Sequence, residues 1–296
     1  MISSIKEIFN KLDYQITHSD IESAKFFNEN GYCLIKNSKL IIDNLIILRN
    51  IVDNLITKES WRGGWEGKEE YLKLNKTFNK GAHRLANLFN KNEIFFKIIL
   101  EENILKITYE IMGDNFKIGA LDMREPIAGT GFQEIHIDWI PKEKSEEPTQ
   151  NIVAFIFLDD SNEQNGVMRL IPKTHKKCGW VEEHLDDKSS HPNQIYPEVE
   201  AGDIILMDAN LWHSGSTNLN GKRRRVLYLD IRKREIPQLL NQRIYLDEET
   251  QSKLGDIEKF LLGLRKNDSF FEDRVFTAGN IYRKKFNIEG PITKEQ

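Results

Sequence analysis

Gln133-Glu134-Ile135-His136-Ile137-Asp138-Trp139 reads as a β-strand that carries a His-x-Asp pair. Side chains two apart on a strand point to one face, so His136 and Asp138 offer an imidazole and a carboxylate to a single point. A second histidine from a neighbouring strand completes a two-His, one-carboxylate set. Such a set leaves metal positions open and favours non-haem Fe(II) and oxygen chemistry. The pair is not unique: His18-Ser19-Asp20 and His184-Leu185-Asp186 repeat it. Composition does not choose among the three, and structural context must.

The strand at 133–139 belongs to a longer pattern. From residue 115 onward, short strand-like runs occur at 116–123, 133–139, 151–158, 166–171, 203–207 and 224–231. Turn residues punctuate them at Gly129-Thr130-Gly131, 162–166, Gly202-Asp203 and 218–221. Many strands of this length predict a mainly β core closed as a jelly roll, a double-stranded β-helix of cupin-like form. Residues 1–115 read as mostly helical. Ser19-Asp20-Ile21-Glu22 has the form of a capping box for a helix ending at Gly31. It gives His18 and Asp20 a structural explanation, since acidic side chains favour a helix N-terminus. Tyr32 to Ile35 reads as a short strand. Ile41, Leu45, Leu48, Val52 and Leu55 recur at helical spacing within 40–58. A further helix is expected over 93–112, closed by Gly113. Between these helices, 60–90 is irregular and aromatic (Trp61, Trp65, Tyr71, Phe78), the character of a loop over a site. Residues 233–296 return to helical and irregular sequence. The expectation is one domain over 1–296: a helical part at 1–115, a jelly-roll core at 116–232 and a C-terminal extension at 233–296.

Composition bounds the function. In 296 residues, 39% are hydrophobic and 30% charged, ordinary for a globular protein. A net charge of −4 and a pI near 6.0 point away from nucleic acid and from an anionic membrane surface. No apolar run approaches the length of a membrane span. Cys33 and Cys178 form neither a disulfide framework nor a CxxC metal site, and suit a reducing compartment. The first residues lack the basic and apolar regions of a secretory signal. The expected setting is cytoplasmic. The expected partner is a small-molecule substrate, with no nucleic acid, no membrane, and a monomer or homodimer.

The second histidine candidate is His213, which follows the apolar run 203–207 through a turn. Ligands on separate strands of a double-sheet core need several strands between them. His136 precedes His213 by 77 residues, room for three or four strands, whereas His184 precedes it by 29 and sits in a polar, loop-like stretch. His136 also has the apolar neighbours Ile135, Ile137 and Trp139. Beyond His213 comes Arg223-Arg224-Arg225, opening another apolar strand. An arginine facing a core is costly without an anionic partner. A three-arginine run lets one point inward while its neighbours stay solvated. A dicarboxylate would supply the partner, because a guanidinium fork binds carboxylate in bidentate fashion.

Four segments now bear a family resemblance: His136-Ile137-Asp138; Asn165-Gly166 through Pro172-Lys173-Thr174-His175; Gly202-Asp203 through His213 with Asn218; and Arg224, eleven residues after His213. Together with Phe27 to Tyr32, the chain resembles the phytanoyl-CoA dioxygenase family of Fe(II)/2-oxoglutarate oxygenases over roughly 20–232. The resemblance implies Fe(II), 2-oxoglutarate and O₂ as cofactor and cosubstrates. It implies His136, Asp138 and His213 as iron ligands and Arg224 as the 2-oxoglutarate anchor, with Leu121 and Phe155 packing the cosubstrate. Gln133, Trp139 and Met123 are candidates for the substrate pocket. The chain departs from the family where a hydroxyl residue often stands, since position 215 is Gly between Ser214 and Ser216. Lys173-Thr174 replaces Gly-Ser, and His175 reads as structural. The carboxylate at 138 favours hydroxylation over halogenation, with desaturation and ring formation left open as outcomes of the same oxidation. Two rival readings stand beside this one: a cupin-like metalloenzyme that does not use 2-oxoglutarate, and a non-catalytic ligand-binding barrel.

Overall fold

The structure is a computed structural model that describes residues 2–59 and 82–265, together with Lys285. Trp61, Trp65, Tyr71 and Phe78 of the expected loop lie outside the described residues. Helices α1 (Ile5–Leu12), α2 (His18–Asn30) and α3 (Lys39–Glu59) come first, with strand β1 (Tyr32–Ile35) between the last two. Strand β2 (Ala82–Leu85), helix α4 (Ile94–Ile98) and helix α5 (Glu102–Met112) follow. The β core comprises β3 (Phe116–Pro126), β4 (Asn151–Phe157), β5 (Met168–Leu170), β6 (Ile204–Asp208), β7 (His213–Gly215) and β8 (Val226–Lys233). Helices α6 (Gln242–Tyr245), α7 (Glu248–Lys253) and α8 (Asp256–Leu261) close the described part.

Six strands form one antiparallel sheet in the order β1-β6-β4-β8-β3-β2, and β5 pairs with β7 in a second, short ladder. This is the expected jelly roll, mainly β with flanking helices. The large sheet has two unlike faces, because side chains alternate along each strand. One face (Ile118, Leu121, Leu227, Leu229, Ile231, Ile152, Ala154, Leu206) packs against the helices. The other face contributes Val153, Phe155, Ile205, Met207 and Val226 to a second apolar cluster toward the short ladder. Helix α3 buries Ile41, Leu48 and Val52 on the helix side, as its apolar spacing predicts. Phe260, Leu261 and Leu262 join the same layer from the C-terminal segment.

Three expectations about elements need correction. The helix expected over 93–112 is two helices. Glu101 adopts an extended backbone (φ −60, ψ 121), and its side chain accepts from the Ile104 amide at 2.6 Å and from Ser38 Oγ at 3.0 Å. A carboxylate that caps a new N-terminus breaks the run. Helix α2 starts earlier than Ser19: Thr17 is the N-cap, with Thr17 N donating to Asp20 Oδ2 at 2.7 Å in a capping box. It ends at Gly31 with φ +84, where a Cβ would stand 2.6 Å from His175 Nδ1.

The third correction concerns 133–139, which is not a strand. Its amides donate to separate segments: Gln133 to Gly215, Ile135 to Lys188, His136 to His213, and both Asp138 and Trp139 to Ala209. One antiparallel bridge, His136 with His213, is its only ladder contact among the described residues.

Candidate metal centre and its cavity

The single bridge decides the geometry. His136 N donates to His213 O at 2.9 Å, and His213 N donates back to His136 O at 3.0 Å. Residues directly opposed in such a pair carry their side chains on the same face. The two imidazole centroids are 4.4 Å apart. Asp138 reaches the same point. Its Oδ2 lies 3.3 Å from His213 Nε2, and its Oδ1 lies 3.7 Å from His136 Nε2. One ligand atom from each of the three falls within 4.8 Å of the others, a group that can hold a metal ion.

Second contacts aim the rings. His136 Nδ1 meets the Glu134 carbonyl at 2.7 Å, and His213 Nδ1 meets the Leu211 carbonyl at 2.9 Å. A carbonyl accepts only from a protonated Nδ1, so each neutral ring presents the Nε2 lone pair to Asp138. Burial, with the neighbouring His213, lowers the His136 pKa to about 4. Burial would raise the Asp138 pKa, but the His213 and His136 imidazoles outweigh it and hold the carboxyl well below its usual range. Burial acts downward on His213 too, yet the Asp138 carboxylate carries its pKa above the ordinary value.

The three side chains border a cavity of about 390 Å³ between the large sheet and the short ladder. Arg224 lines it and is buried, at 2% exposure. Its neighbours turn the other way. Arg223 forms a fork on Glu125 (Nε 2.5 Å, Nη2 2.8 Å) and reaches Asp53 at 2.7 Å. Arg225 binds Asp159 through Nε at 2.8 Å and Nη2 at 2.7 Å. The expected alternation holds in part: Arg224 turns inward and Arg223 stays half-exposed, but Arg225, expected to be solvated, is buried at 6% exposure because Asp159 and Asp53 hold its guanidinium.

Phe155, Gln133 and Met123 line the same cavity. Phe155 stands edge-on to His213, ring centroids 6.3 Å apart. Two of the expected residues do not line it. Leu121 is fully buried in the layer that faces the helices, opposite Leu229. Trp139 packs in the apolar cluster beside the cavity, under the Arg232 guanidinium at 4.7 Å. Position 215 has no hydroxyl, and the space is taken: a Cβ there would stand 3.0 Å from Gln133 Oε1 and 3.6 Å from Arg124 Nη1. His18 is exposed at the start of α2, and His184 Nε2 sits on the Cys178 carbonyl at 2.7 Å, so neither joins the cluster. His175 is buried beneath Gly31 with Nε2 3.3 Å from the Asn28 carbonyl.

Sequence reasoning missed Arg84, Asp122, Arg124, Tyr228, Asp230 and Arg232, all of which line the cavity. The signal for three was present: Tyr228, Asp230 and Arg232 alternate with Leu229 and Ile231 along one strand. The excursion 173–200 is anchored to the short ladder. Leu170 and Ile195 exchange backbone hydrogen bonds at 3.1 and 2.8 Å, and Arg169 Nη1 donates to Ser189 O at 2.6 Å. Trp180 and Val181 from this excursion line a second opening that reaches His136 and Asp138 from the other side.

The family description of phytanoyl-CoA dioxygenase (PhyH) matches residues 27–226. The chain belongs to that family. A curated member-like relative, dioxygenase trt7 of Aspergillus terreus, is 26% identical over 226 residues, 73% of this chain and 74% of its own. Dioxygenase af480 of Aspergillus fumigatus is 33% identical over 172 residues, covering 56% of this PhyH chain and 54% of its own. Among solved structures, HygX from Streptomyces hygroscopicus with nickel and 2-oxoglutarate bound superposes with a TM-score of 0.58 at 13% identity. That match covers 73% of the PhyH chain and 88% of HygX. The carbocyclase SnoK from nogalamycin biosynthesis gives 0.56 at 17% identity, covering 79% and 87%. At these identities the two structures establish the shared fold. Among the described residues no helix is long and apolar enough to cross a membrane.

Proposed function

We propose that this PhyH-family chain is a non-haem Fe(II)/2-oxoglutarate-dependent dioxygenase that hydroxylates an unactivated C–H bond of a small molecule. The observation that carries the reading is the convergence of His136, Asp138 and His213 on one wall of a cavity that also holds the buried Arg224. The donor set fits the metal: two imidazoles with Nε2 turned inward and an ionised carboxylate, three ligands that leave open positions. Arg224 fits the distal carboxylate of 2-oxoglutarate. Iron, 2-oxoglutarate and O₂, when bound, supply the oxidation that releases succinate and CO₂ and hydroxylates the substrate.

The chain's own residues position and insulate. Glu134 and Leu211 carbonyls fix the imidazole tautomers. Phe155 and Tyr228, edge to face at 4.9 Å, build an aromatic floor beside His213. Such a wall limits bulk water near the reacting groups. The relatives' names support dioxygenase activity, and the hygromycin B bound to HygX supports a small-molecule substrate. A cupin-like metalloenzyme without 2-oxoglutarate has no use for a guanidinium buried in the metal cavity. A non-catalytic barrel has no use for an intact, tautomer-locked triad. Anaerobic addition of 2-oxoglutarate to the Fe(II) protein tests the reading. A metal-to-ligand charge-transfer band is expected, and its absence at saturating cosubstrate would sink the proposal. Succinate release coupled to a candidate substrate then tests the reaction.

A further inference from the structure

The cavity has a second charged end. Arg224, two residues before β8, and Asp230 on β8 lie six residues apart, roughly 20 Å on an extended chain. At the Asp230 end two carboxylates face the cavity, and they differ in how they are held. Asp230 is fully engaged: Arg232 Nε donates to Oδ1 at 2.6 Å, while Arg232 Nη2 and Asn151 Nδ2 donate to Oδ2 at 3.1 and 2.9 Å. Asp122 accepts one bond at Oδ1, from the Asn87 amide at 3.0 Å. Its Oδ2 accepts no hydrogen bond among the described residues. Asp122 is only partly buried, and it is the cavity that exposes it.

Its place relative to the metal ligands follows from the register. Asp122 pairs with Tyr228, and Tyr228 pairs with Phe155. Two inter-strand steps put the Asp122 and Phe155 backbones roughly 10 Å apart. The Phe155 ring then lies 6.3 Å from the His213 ring. Asp122 therefore stands across the cavity floor from the triad, at a span a small molecule can bridge, and away from Arg224. A ligand that fills this space covers Oδ2. A carboxylate oxygen stripped of water without a replacement donor costs several kcal/mol, so an apolar or acceptor-only surface is disfavoured there.

Building on the oxygenase reading, we infer that the substrate presents an O–H or N–H donor to Asp122 Oδ2, which fixes the substrate's far end while its target carbon lies at the triad. Burial pushes the Asp122 carboxyl up to about 6, against the Asn87 amide and the Arg84 guanidinium, so it is ionised and acceptor-only at neutral pH.

Three fragment probes of one shape test this on the Fe(II)–2-oxoglutarate protein under anaerobic conditions: cyclohexanol, cyclohexylamine and cyclohexanone. Binding is read by ligand-observed NMR and by perturbation of the charge-transfer band. At least one donor probe should bind about tenfold more tightly than the ketone, the effect of one charge-assisted hydrogen bond. The tighter of the two tells whether the donor is a hydroxyl or an ammonium. In Asp122→Leu, an apolar side chain of similar size, the preference should vanish. Equal affinity for all three probes in the wild type, or an unchanged donor preference in Asp122→Leu, overturns the inference. If Asp122→Leu does not fold, the wild-type preference decides. Loss of the charge-transfer band in the wild type itself would count against the oxygenase reading instead.

Discussion

His136 and His213 meet because two backbone amides trade hydrogen bonds, and this makes the histidines separable by mutation. His136→Ala and His213→Ala should each abolish tight Fe(II) binding, while His18→Ala and His184→Ala should keep it; equilibrium dialysis with Fe(II) or Mn(II) reads the difference. Equal loss in all four would mean that iron is held elsewhere. That these three side chains come together was legible in the sequence. The i, i+2 spacing survives in an irregular segment, and the spacing to His213 left room for the intervening strands. Arg224 was legible for a similar reason, because strand alternation turns one of three arginines inward. Asp122 and Arg124 were not legible. Each looks like an ordinary charge on a strand until the sheet it joins, and the face it takes, are known.

At the scale of elements, most of the strands and helices stood in the sequence as apolar periodicity, and the errors share a cause. The break at Glu101 and the start at Thr17 depend on side chains that cap backbone groups, which a periodicity of apolar residues does not register. The misread strand at 133–139 has strand-like residues, but its partners lie on three different segments. Within β3, Gly119 sits at a register shift between Ile118 and Ala120. A Cβ at this position would coincide with Oδ1 of Asp230, which Arg232 and Asn151 hold in place. Gly119→Ala should therefore destabilise the protein by about 2–4 kcal/mol, the range for overpacking combined with a broken buried polar network. Urea denaturation measures it, and a change under about 0.5 kcal/mol, typical of an unconstrained surface site, would show that Asp230 moves aside freely.

Across the whole molecule, the outer arginines tie distant parts of the chain together. Glu125 on β3 meets His83 of β2 at 3.1 Å and the Arg223 fork, and Arg223 in turn reaches Asp53 of α3. Burial alone would raise the Glu125 pKa, but His83 and Arg223 hold it down to about 2. A depressed carboxyl contributes stability that is present above its ordinary value near 4.5 and is lost as pH falls toward 2. Discounted for the half-exposed Arg223, the contribution is about 2 kcal/mol. Glu125→Gln should melt below the wild type at neutral pH, and the gap should close between pH 4.5 and 2 in metal-free protein. A gap constant across that window would remove Glu125 as its source. Ligand linkage acts at the same scale. Mn(II) with 2-oxoglutarate at about 100 times Kd should stabilise the protein by about 3 kcal/mol, several degrees in Tm for a chain of this size. The shift should disappear in His213→Ala; a shift that persists would place the stabilising site away from the triad.

The register shift at Gly119 has a consequence for what the strand can tolerate. Before it, even-numbered residues (Phe116, Ile118) face the helices; after it, the odd-numbered Leu121 does. The slip works as a change of phase, and it alone puts Asp122 and Arg124 on the cavity side. Pairing the strand at the same length without the slip would drive a carboxylate and a guanidinium into the oily layer under the helices and lay an apolar side chain along the cavity floor. Removing Gly119 itself would instead close the slip, joining the Ile118–Ile231 pair to the Ala120–Asp230 pair with every later residue on its present face. The slip is thus a chemical specification, read to a single residue.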